Sequence, residues 1–517
     1  MEFNRTKLMW ASFLTLLASG VGFATRAASG GIWESSLGID GGQFGAIMGA
    51  GFLGFGIMIF VGGFIVEAFG YKKVLKVAFL LHLVSAVMLI MAPNLFSEWS
   101  ADGDSAAATE KVFSLLFWSA FLFSICQGLY EAVINPMIAQ LYDEDKTHYL
   151  NILHAGWPAG MIIGGLFAAG FMGGKCWFVE LPWHWANAAF AIFVLAYGVL
   201  ALPEKFPKTV SQAASNFSQL FSCFASWPFL LLIVLHGLIG YMELGIDSWV
   251  SKLLENLLPN AVIILVYTSA LMFILRFFAG PIAHKINPIG LLFASSVIAC
   301  FGLLWLGSGI TSLAVLFAAA TFYSLGKAFL WPTMLAVAGE RYPLSGAIAM
   351  GALGAAGMIT VGQIGGPAIG HKQGFNMSAK LEADHPETFT RFAAEEEKTF
   401  FGMYGYKPLI AEKLAAANGV EIKDGKVTNT DSISEAELLS DADKQTMLAN
   451  AAADSQAVQE ANLHGGYRAL TLTAYVPAAM AVGFLILLIY YKAIGGYKVL
   501  HVNEDGTLSE AKPKDGH

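Results

Sequence analysis

The chain has 517 residues, of which 56% are hydrophobic and 13% charged, and its formal net charge is −8. That balance excludes a water-soluble protein of this length, and no nucleic-acid partner is expected. The four cysteines, Cys126, Cys176, Cys223 and Cys300, show neither metal nor redox spacing and read as small packing residues.

Apolar runs of about 18 or more residues recur along the chain, each long enough to cross ~30 Å of hydrocarbon. Twelve spans are predicted, at 8–30, 42–67, 74–94, 112–140, 149–172, 184–202, 227–249, 260–282, 288–308, 311–338, 345–370 and 468–492. The first run lacks a small-residue cleavage site and reads as a retained helix, not a signal peptide. Arg5 and Lys7 beside it place the N-terminus in the cytoplasm. On that topology the cytoplasmic segments and helix ends hold eleven basic residues, namely Arg5, Lys7, Lys72, Lys73, Lys76, Lys146, Lys205, Lys208, Arg276, Lys285 and Arg341. The opposite short loops hold three, Lys111, Lys175 and Lys252, which satisfies the positive-inside rule. The expected location is the cell (inner) membrane, multi-pass, with both termini cytoplasmic.

Six helices over 1–202, a cytoplasmic linker at 203–226 and six helices over 227–517 form the layout of a pseudo-symmetric transporter. The last unit contains a non-cytoplasmic insertion at 374–466 and a cytoplasmic tail at 493–517. The insertion holds sixteen Asp/Glu against eight Lys/Arg. Its stretch "SEAELLSDADKQTMLANAAADSQAVQEANL" suits a helix with Ser or Asp near its start. Two readings of so long a loop stand open: an exposed insertion that solvates the outer face, or a cap that captures substrate or binds a partner.

Internal echoes support two halves. Helix 4 contains "GLYEAVINPM", with Glu131, three residues, then Asn135-Pro136. Helix 10 contains "GKAFLWPTM", with Lys327, three residues, then Trp331-Pro332. After helix 2 the chain reads "GGFIVEAFGYKKVL", and after helix 8 "AGPIAHKINPIGLL", a weaker copy. The first of these loops resembles the Gly-x-x-x-Asp-Arg-x-Gly-basic-basic motif of the major facilitator superfamily, through Gly63, Glu67, Gly70, Lys72 and Lys73, with Ala68 in place of the usual Arg. The expected fold is therefore all-α, a major facilitator fold of 12 transmembrane helices in two pseudo-symmetric six-helix bundles. A carboxylate at Glu67 can hold a basic group or a helix N-terminus of the other half, with Arg276 the candidate partner in an inner gate.

Charged groups inside a span are costly and tend to face a cavity or a partner. They fall at Arg26 in helix 1, Glu131 in helix 4, Glu243 and Asp247 in helix 7 and Lys327 in helix 10. The resemblance implies that helices 1, 4, 7 and 10 line the central cavity. Gln127, Glu131 and Asn135 lie at i, i+4 and i+8 on one helix face, and His236, Gly240, Glu243 and Asp247 share a face of helix 7. Two roles compete. Charge pairing would join Glu131 to Lys327 and Arg26 to Glu243 or Asp247. Alternatively, at least one carboxylate takes up and releases a proton as its exposure alternates, with Glu131 the expected proton site. Further cavity candidates are His154 and Trp157 in helix 5, Trp331 in helix 10 and Gln363 in helix 11. Trp157 and Trp331 can stack on a sugar ring or simply pack. Trp183, Trp185, Trp227 and Trp249, near span ends, read as interface anchors.

"GLYEAVINP" and "LWPTMLAVAGERYPLSGAIAMGALGAAG" resemble the helix 4 and helix 10–11 passages of the fucose–galactose–glucose:proton symporter family. The resemblance implies proton-coupled sugar uptake, with the helix 4 Glu, here Glu131, taking part. The family's acidic residue in helix 1 is replaced by Arg26-Ala27. Three functions are thus carried forward: a proton-coupled sugar permease, an organic-anion or sugar-acid transporter of the same fold using Arg26 and Lys327, and a non-transporting sensor with an external cap. The expected partners are a small-molecule substrate and the lipid bilayer, the expected state a monomer, and the coupling ion a proton with no resident cofactor or metal. No nucleotide-binding loop, metal cluster or nucleophile motif marks an enzyme.

Overall fold

A computed structural model describes residues 3–39, 41–172, 176–209, 217–254, 257, 262–400, 402–423, 426–434, 436, 439–502 and 508–510. Backbone polar groups find no water in hydrocarbon, so an apolar chain satisfies them within helices. Among the described residues, eleven helices are long and apolar enough to cross a membrane, and a twelfth, Ile263–Arg276, is apolar but shorter.

In chain order helix 1 is Arg5–Ala27, helix 2 Gly41–Phe69, helix 3 Tyr71–Trp99 and helix 4 Ser105–Leu141. Helix 5 is broken at Ala155 into Lys146–His154 and Gly156–Phe171, and helix 6 at Ala189 into Trp183–Ala188 and Phe190–Ala201. Helix 7 is Trp227–Leu253 and helix 8 Val262–Arg276. The next helix, Ala279–Leu306, turns sharply at Asn287, where φ is 56°. There the Asn287 side chain accepts the Gly290 N–H at 2.9 Å, so Asn caps and Pro288 opens helix 9 proper. Helix 10 consists of Leu313–Lys327 and Leu330–Arg341. Helix 11 joins Gly346–Thr360 and Gly366–Asp384 through a π turn at Val361–Gly365, and helix 12 comprises Ala451–Thr473 and Tyr475–Ala493.

The packing repeats itself. In the first half helix 1 packs on 5 and 6, helix 2 on 4, and helix 3 on 4 and 6. In the second, helix 7 packs on 11 and 12, helix 8 on 10, and helix 9 on 10 and 12, the same scheme advanced by six. Across the halves helix 2 meets helix 11 and helix 5 meets helix 8, again a symmetric pair. Equivalent seams use glycine: a Cβ at Gly160 of helix 5 would lie 2.2 Å from the Leu17 carbonyl oxygen, and one at Gly240 of helix 7 would lie 2.2 Å from that of Gly357. Small residues let backbones approach this closely where lipid offers no hydrophobic drive for association. Gly160→Val is expected to lower the melting temperature of the purified protein, since overpacking costs ~1–3 kcal/mol. Gly45→Val, whose Cβ would meet nothing within 4 Å, should leave it unchanged. Equal melting of the two variants would contradict this account of the seam. Leu80, Ile192, Val199, Val234, Phe301, Val482 and Ile489 point outward, as lipid contact requires.

Arg5 pairs with Glu144, Lys7 with Glu204 at 2.9 Å, and His501 of the tail with Asp143. Both chain ends therefore gather with the helix 4–5 turn and the start of the linker on one face, here called the terminus face. Helices 11 and 12 run past the predicted ends of their spans, to Asp384 and from Ala451, into the 374–466 insertion. The described residues between them, within 385–450, form a folded cap on the opposite face. It carries the hairpins Lys398–Phe400/Met403–Tyr406 and Glu421–Lys423/Lys426–Asn429 and short helices. Phe392, Ala416, Val420, Ile433 and Met447 form its own core with Leu381 and Val458 from the protruding helices. The single helix expected from Ser434 onward is two: Ser440 caps Asp441–Ala449 through the Asp443 N–H, and Asn450 interrupts before helix 12.

Candidate functional site

A narrow cavity of about 50 Å³ lies between the halves, towards the cap face. The last turns of helix 1 give it Phe23 and Arg26, the first half of helix 2 Ile47 to Phe55, helix 4 Phe123, Ser124 and Gln127, helix 5 Trp157, and helix 7 Asp247 and Ser248. Four predicted site residues, Arg26, Gln127, Trp157 and Asp247, thus share one chamber. Its walls are otherwise mostly apolar and aromatic, with the Trp157 ring 5.6 Å from that of Phe23.

Arg26 is 4% exposed. Its guanidinium lies 3.8 Å from the Phe123 ring centre and 5.3 Å from that of Phe190. Nη1 donates a long bond of 3.5 Å to the Gly22 carbonyl, while Nε and Nη2 have no hydrogen-bond partner among the described residues. The expected pairing with Glu243 or Asp247 does not occur. Helix 7 turns those carboxylates to cations of its own half instead.

Lys327, fully buried, pairs with Asp247 and not with Glu131. Arg276 is not at the inner gate beside Glu67. It is 2% exposed, and its Nη2 donates to Glu243 Oε1 at 3.2 Å. Its Nε donates to the Ala328 carbonyl at 2.8 Å, where helix 10 is broken, and its Nη1 to the His154 carbonyl at the break in helix 5. Helix breaks free carbonyls that a guanidinium can satisfy, so Arg276 ties helix 8 to helices 5, 7 and 10. Glu131, 4% exposed, accepts from Asn135 Nδ2 at 3.2 Å, and Asn135 Oδ1 meets His154 Nε2 at 2.9 Å. Hydrogen bonds thus link Glu131 to Asn135 and Asn135 to the His154 ring, while Arg276 joins the His154 main-chain carbonyl to Glu243, so that His154 is held from both helix 4 and helix 8. Glu131 is the one of the three carboxyls in this region with no cation bonded to it among the described residues.

Trp331 packs edge-on against His236 at 4.4 Å and lies outside the cavity wall. Gln363 is exposed in the π turn and is not a wall residue. The extra residue of a π turn rotates the face that follows, which a regular helical count misses. His82 was not singled out by the sequence. It contacts Phe123 and Phe190, the rings that hold Arg26, and only a buried His in a lipid-facing helix could have signalled it. Among the described residues no three His, Cys, Asp or Glu side chains gather as a metal site.

The terminus face is closed by contacts between the halves. Glu67 Oε1 accepts the Ala347 N–H at 3.4 Å, so it holds the N-terminus of helix 11, the second of the partners expected for it. Thr147 donates to Glu340 at 2.7 Å, Asn151 to Thr333 at 3.1 Å and Lys146 to the Gly339 carbonyl at 3.2 Å. Tyr497 of the tail adds a bond of 2.6 Å to Glu340. Gly70, with φ of 84°, makes the turn after Glu67. Lys72 stays within its own half, donating to the Glu204 carbonyl at 2.7 Å, and Lys73 is exposed.

Lys327→Met would strand Asp247 at the cavity edge, and breaking a buried pair costs ~3–5 kcal/mol. The variant should melt well below wild type, and Lys327→Met/Asp247→Leu should recover most of the loss. A double variant as unstable as the single would contradict the pairing.

A central chamber between pseudo-symmetric halves, sealed towards the terminus face by bonds between them, defines a membrane solute transporter. The chain belongs to the major facilitator superfamily, whose sequence profile matches residues 9–369. Among solved structures it is similar to the proton:xylose symporter XylE (TM-score 0.61, 14% identity, covering 73% of this chain and 90% of that one). It is also similar to the E. coli fucose:proton symporter FucP (TM-score 0.52, 18% identity, 69% and 91%). A bacterial homolog of the human lysosomal transporter Spinster aligns over more of the chain (TM-score 0.59, 14% identity, 93% and 96%). No curated protein matches the sequence. These likenesses establish the fold, and membership of the superfamily makes the chain a transporter in place of an enzyme.

Proposed function

We propose that this protein is a proton-coupled transporter of a small, ring-bearing carboxylated solute of the sugar-acid type, working by alternating access. The observation that carries the anionic cargo is Arg26: two buried guanidinium nitrogens without partners, at the wall of the chamber. A buried unpaired cation is costly unless a ligand anion completes it, and the planar fork suits a carboxylate. Trp157 supplies a face for a ring, and Gln127 hydrogen bonds to hydroxyls. Those two residues equally suit an uncharged sugar, which is the second reading and is supported by the helix 4 and helix 10–11 resemblance. Lys327, bound to Asp247, is left as a structural partner.

Glu131 is the proposed proton carrier, because it alone of the three central carboxyls lacks a bonded cation among the described residues and is hydrogen-bonded to Asn135, which meets the His154 ring. The terminus face is assigned to the cytoplasm by its excess of Lys and Arg. Opening to that side requires release of the Thr147–Glu340, Asn151–Thr333 and Glu67–Ala347 contacts. The cell membrane, a monomeric state and the two-bundle division at the 203–226 linker complete the reading.

Uptake into proteoliposomes with an imposed pH gradient, using paired sugars and sugar acids such as glucose and glucuronate, tests it. Gradient-dependent accumulation of the acids is expected. Preference for the neutral sugars would install the second reading, and indifference to the gradient would remove proton coupling.

A further inference from the structure

The geometry points to a second binding site, between the cap and the ends of helices 7, 11 and 12, that captures a carboxylated, ring-bearing solute before it enters the chamber. Its ligand class rests on the reading of Arg26, whereas the site itself rests on other residues.

A cavity of about 450 Å³ opens there. Its cations are Lys252 from helix 7 and Lys398 from the first cap hairpin, and neither forms an ion pair with a described residue. No Asp or Glu lines it among the described residues, although segment 374–466 carries sixteen against eight Lys/Arg. A cavity whose described wall carries two lysines and no carboxylate, under a cap that is acidic overall, has a positive local field, which concentrates anions. The wall also offers ring faces. Trp249, expected as a membrane-interface anchor, lies here, 5.6 Å from Lys252 Nζ, and the His371 ring stands 5.6 Å from that of Phe400. Hydrogen-bonding groups complete it. Gln373 is 5% exposed and donates to Asn462 at 2.8 Å, and Asn418 Oδ1 is buried with no hydrogen-bond partner. Cation, ring face and amide are the same combination that the chamber presents in Arg26, Trp157 and Gln127.

Two helices carry one cavity into the other. On helix 7, Asp247 and Ser248 line the chamber and Trp249 and Lys252 line the cap cavity. Five residues of helix separate Asp247 from Lys252, a rise of about 7.5 Å. On helix 11, Met358 lines the chamber and Pro367 and His371 the cap cavity, with the π turn Val361–Gly365 between them. Single π turns are places where a helix changes its facing without unwinding, which suits a junction between two chambers.

The test uses radiolabelled D-glucuronate and the purified full-length protein. Binding should persist in part in Arg26→Gln and vanish when Lys252→Gln and Lys398→Gln are added. The two lysines are exposed, so their replacement spares the fold. In proteoliposomes the lysine pair variant should lose ~10-fold in uptake at low substrate, with little change at saturation, and the difference should shrink in high salt. Complete loss of binding in Arg26→Gln alone would overturn the cap site while leaving the Arg26 reading intact. Binding that resists Arg26→Gln but disappears with the lysines would do the reverse. Residual Arg26→Gln binding that ignores the lysines overturns the proposal, and a wild type that binds no glucuronate overturns both.

Discussion

Arg26→Gln is expected to reduce uptake of a carboxylated sugar by ~30- to 1000-fold, the loss that follows when one partner of a buried charge pair is truncated. The fold should not suffer. Nε and Nη2 of Arg26 have no hydrogen-bond partner among the described residues, so removing the cation removes a buried charge without a counter-ion there, and the variant should melt at or above the wild-type temperature. Arg26→Lys should recover only part of the activity, because an ammonium lacks the bidentate fork and stacks less well on Phe123. Transport of glucuronate and glucose in the same vesicles separates the outcomes. A drop confined to the acid supports the assigned role. An equal drop for both, together with a lowered melting temperature, would make Arg26 a packing residue.

Glu131→Gln is expected to abolish accumulation of solute driven by a pH gradient while counterflow exchange persists. Gln preserves the shape and can still accept the 3.2 Å bond from Asn135 Nδ2, so the Asn135–His154 link to helix 5 survives. What the amide cannot do is carry a proton between the two sides. Accumulation should therefore fall to the level of equilibration, with the pH dependence of uptake lost as well. Unchanged accumulation would return Glu131 to a purely structural role. Glu243→Gln offers a contrast, because it strips Arg276 of its carboxylate and should lower stability by ~3–5 kcal/mol before any question of coupling arises.

Both tests turn on pairings that the echo between "GLYEAVINPM" and "GKAFLWPTM" could not settle. That echo places Glu131 and Lys327 at matching points of two halves, and the repeated packing scheme agrees with it. Matching points are not neighbours, however. Lys327 turns to helix 7 of its own half, and the cation that reaches towards helix 4 comes from helix 8, through Arg276. Gln363 was misplaced for a related reason: one extra residue in the π turn swings it out of the chamber. Trp249 looked like an interface anchor because only its depth was visible, whereas the folded cap gives it a cavity to line.

The sequence by itself determined that the chain is a twelve-span membrane protein of two related halves, with charges in helices 1, 4, 7 and 10 and a turn at Gly70 after Glu67. These features follow from hydropathy and from 3.6-residue periodicity, which act along one helix at a time. Only the tertiary structure decided which cation meets which carboxylate, that Arg26 meets none among the described residues, and that the described part of 385–450 folds over the face opposite the termini. Those outcomes depend on how helices rotate about their axes and where they break, at Ala155, at Ala328 and at the π turn. Rotation and breakage are set by contacts between helices far apart in the chain, and spacing within a single helix carries no record of them.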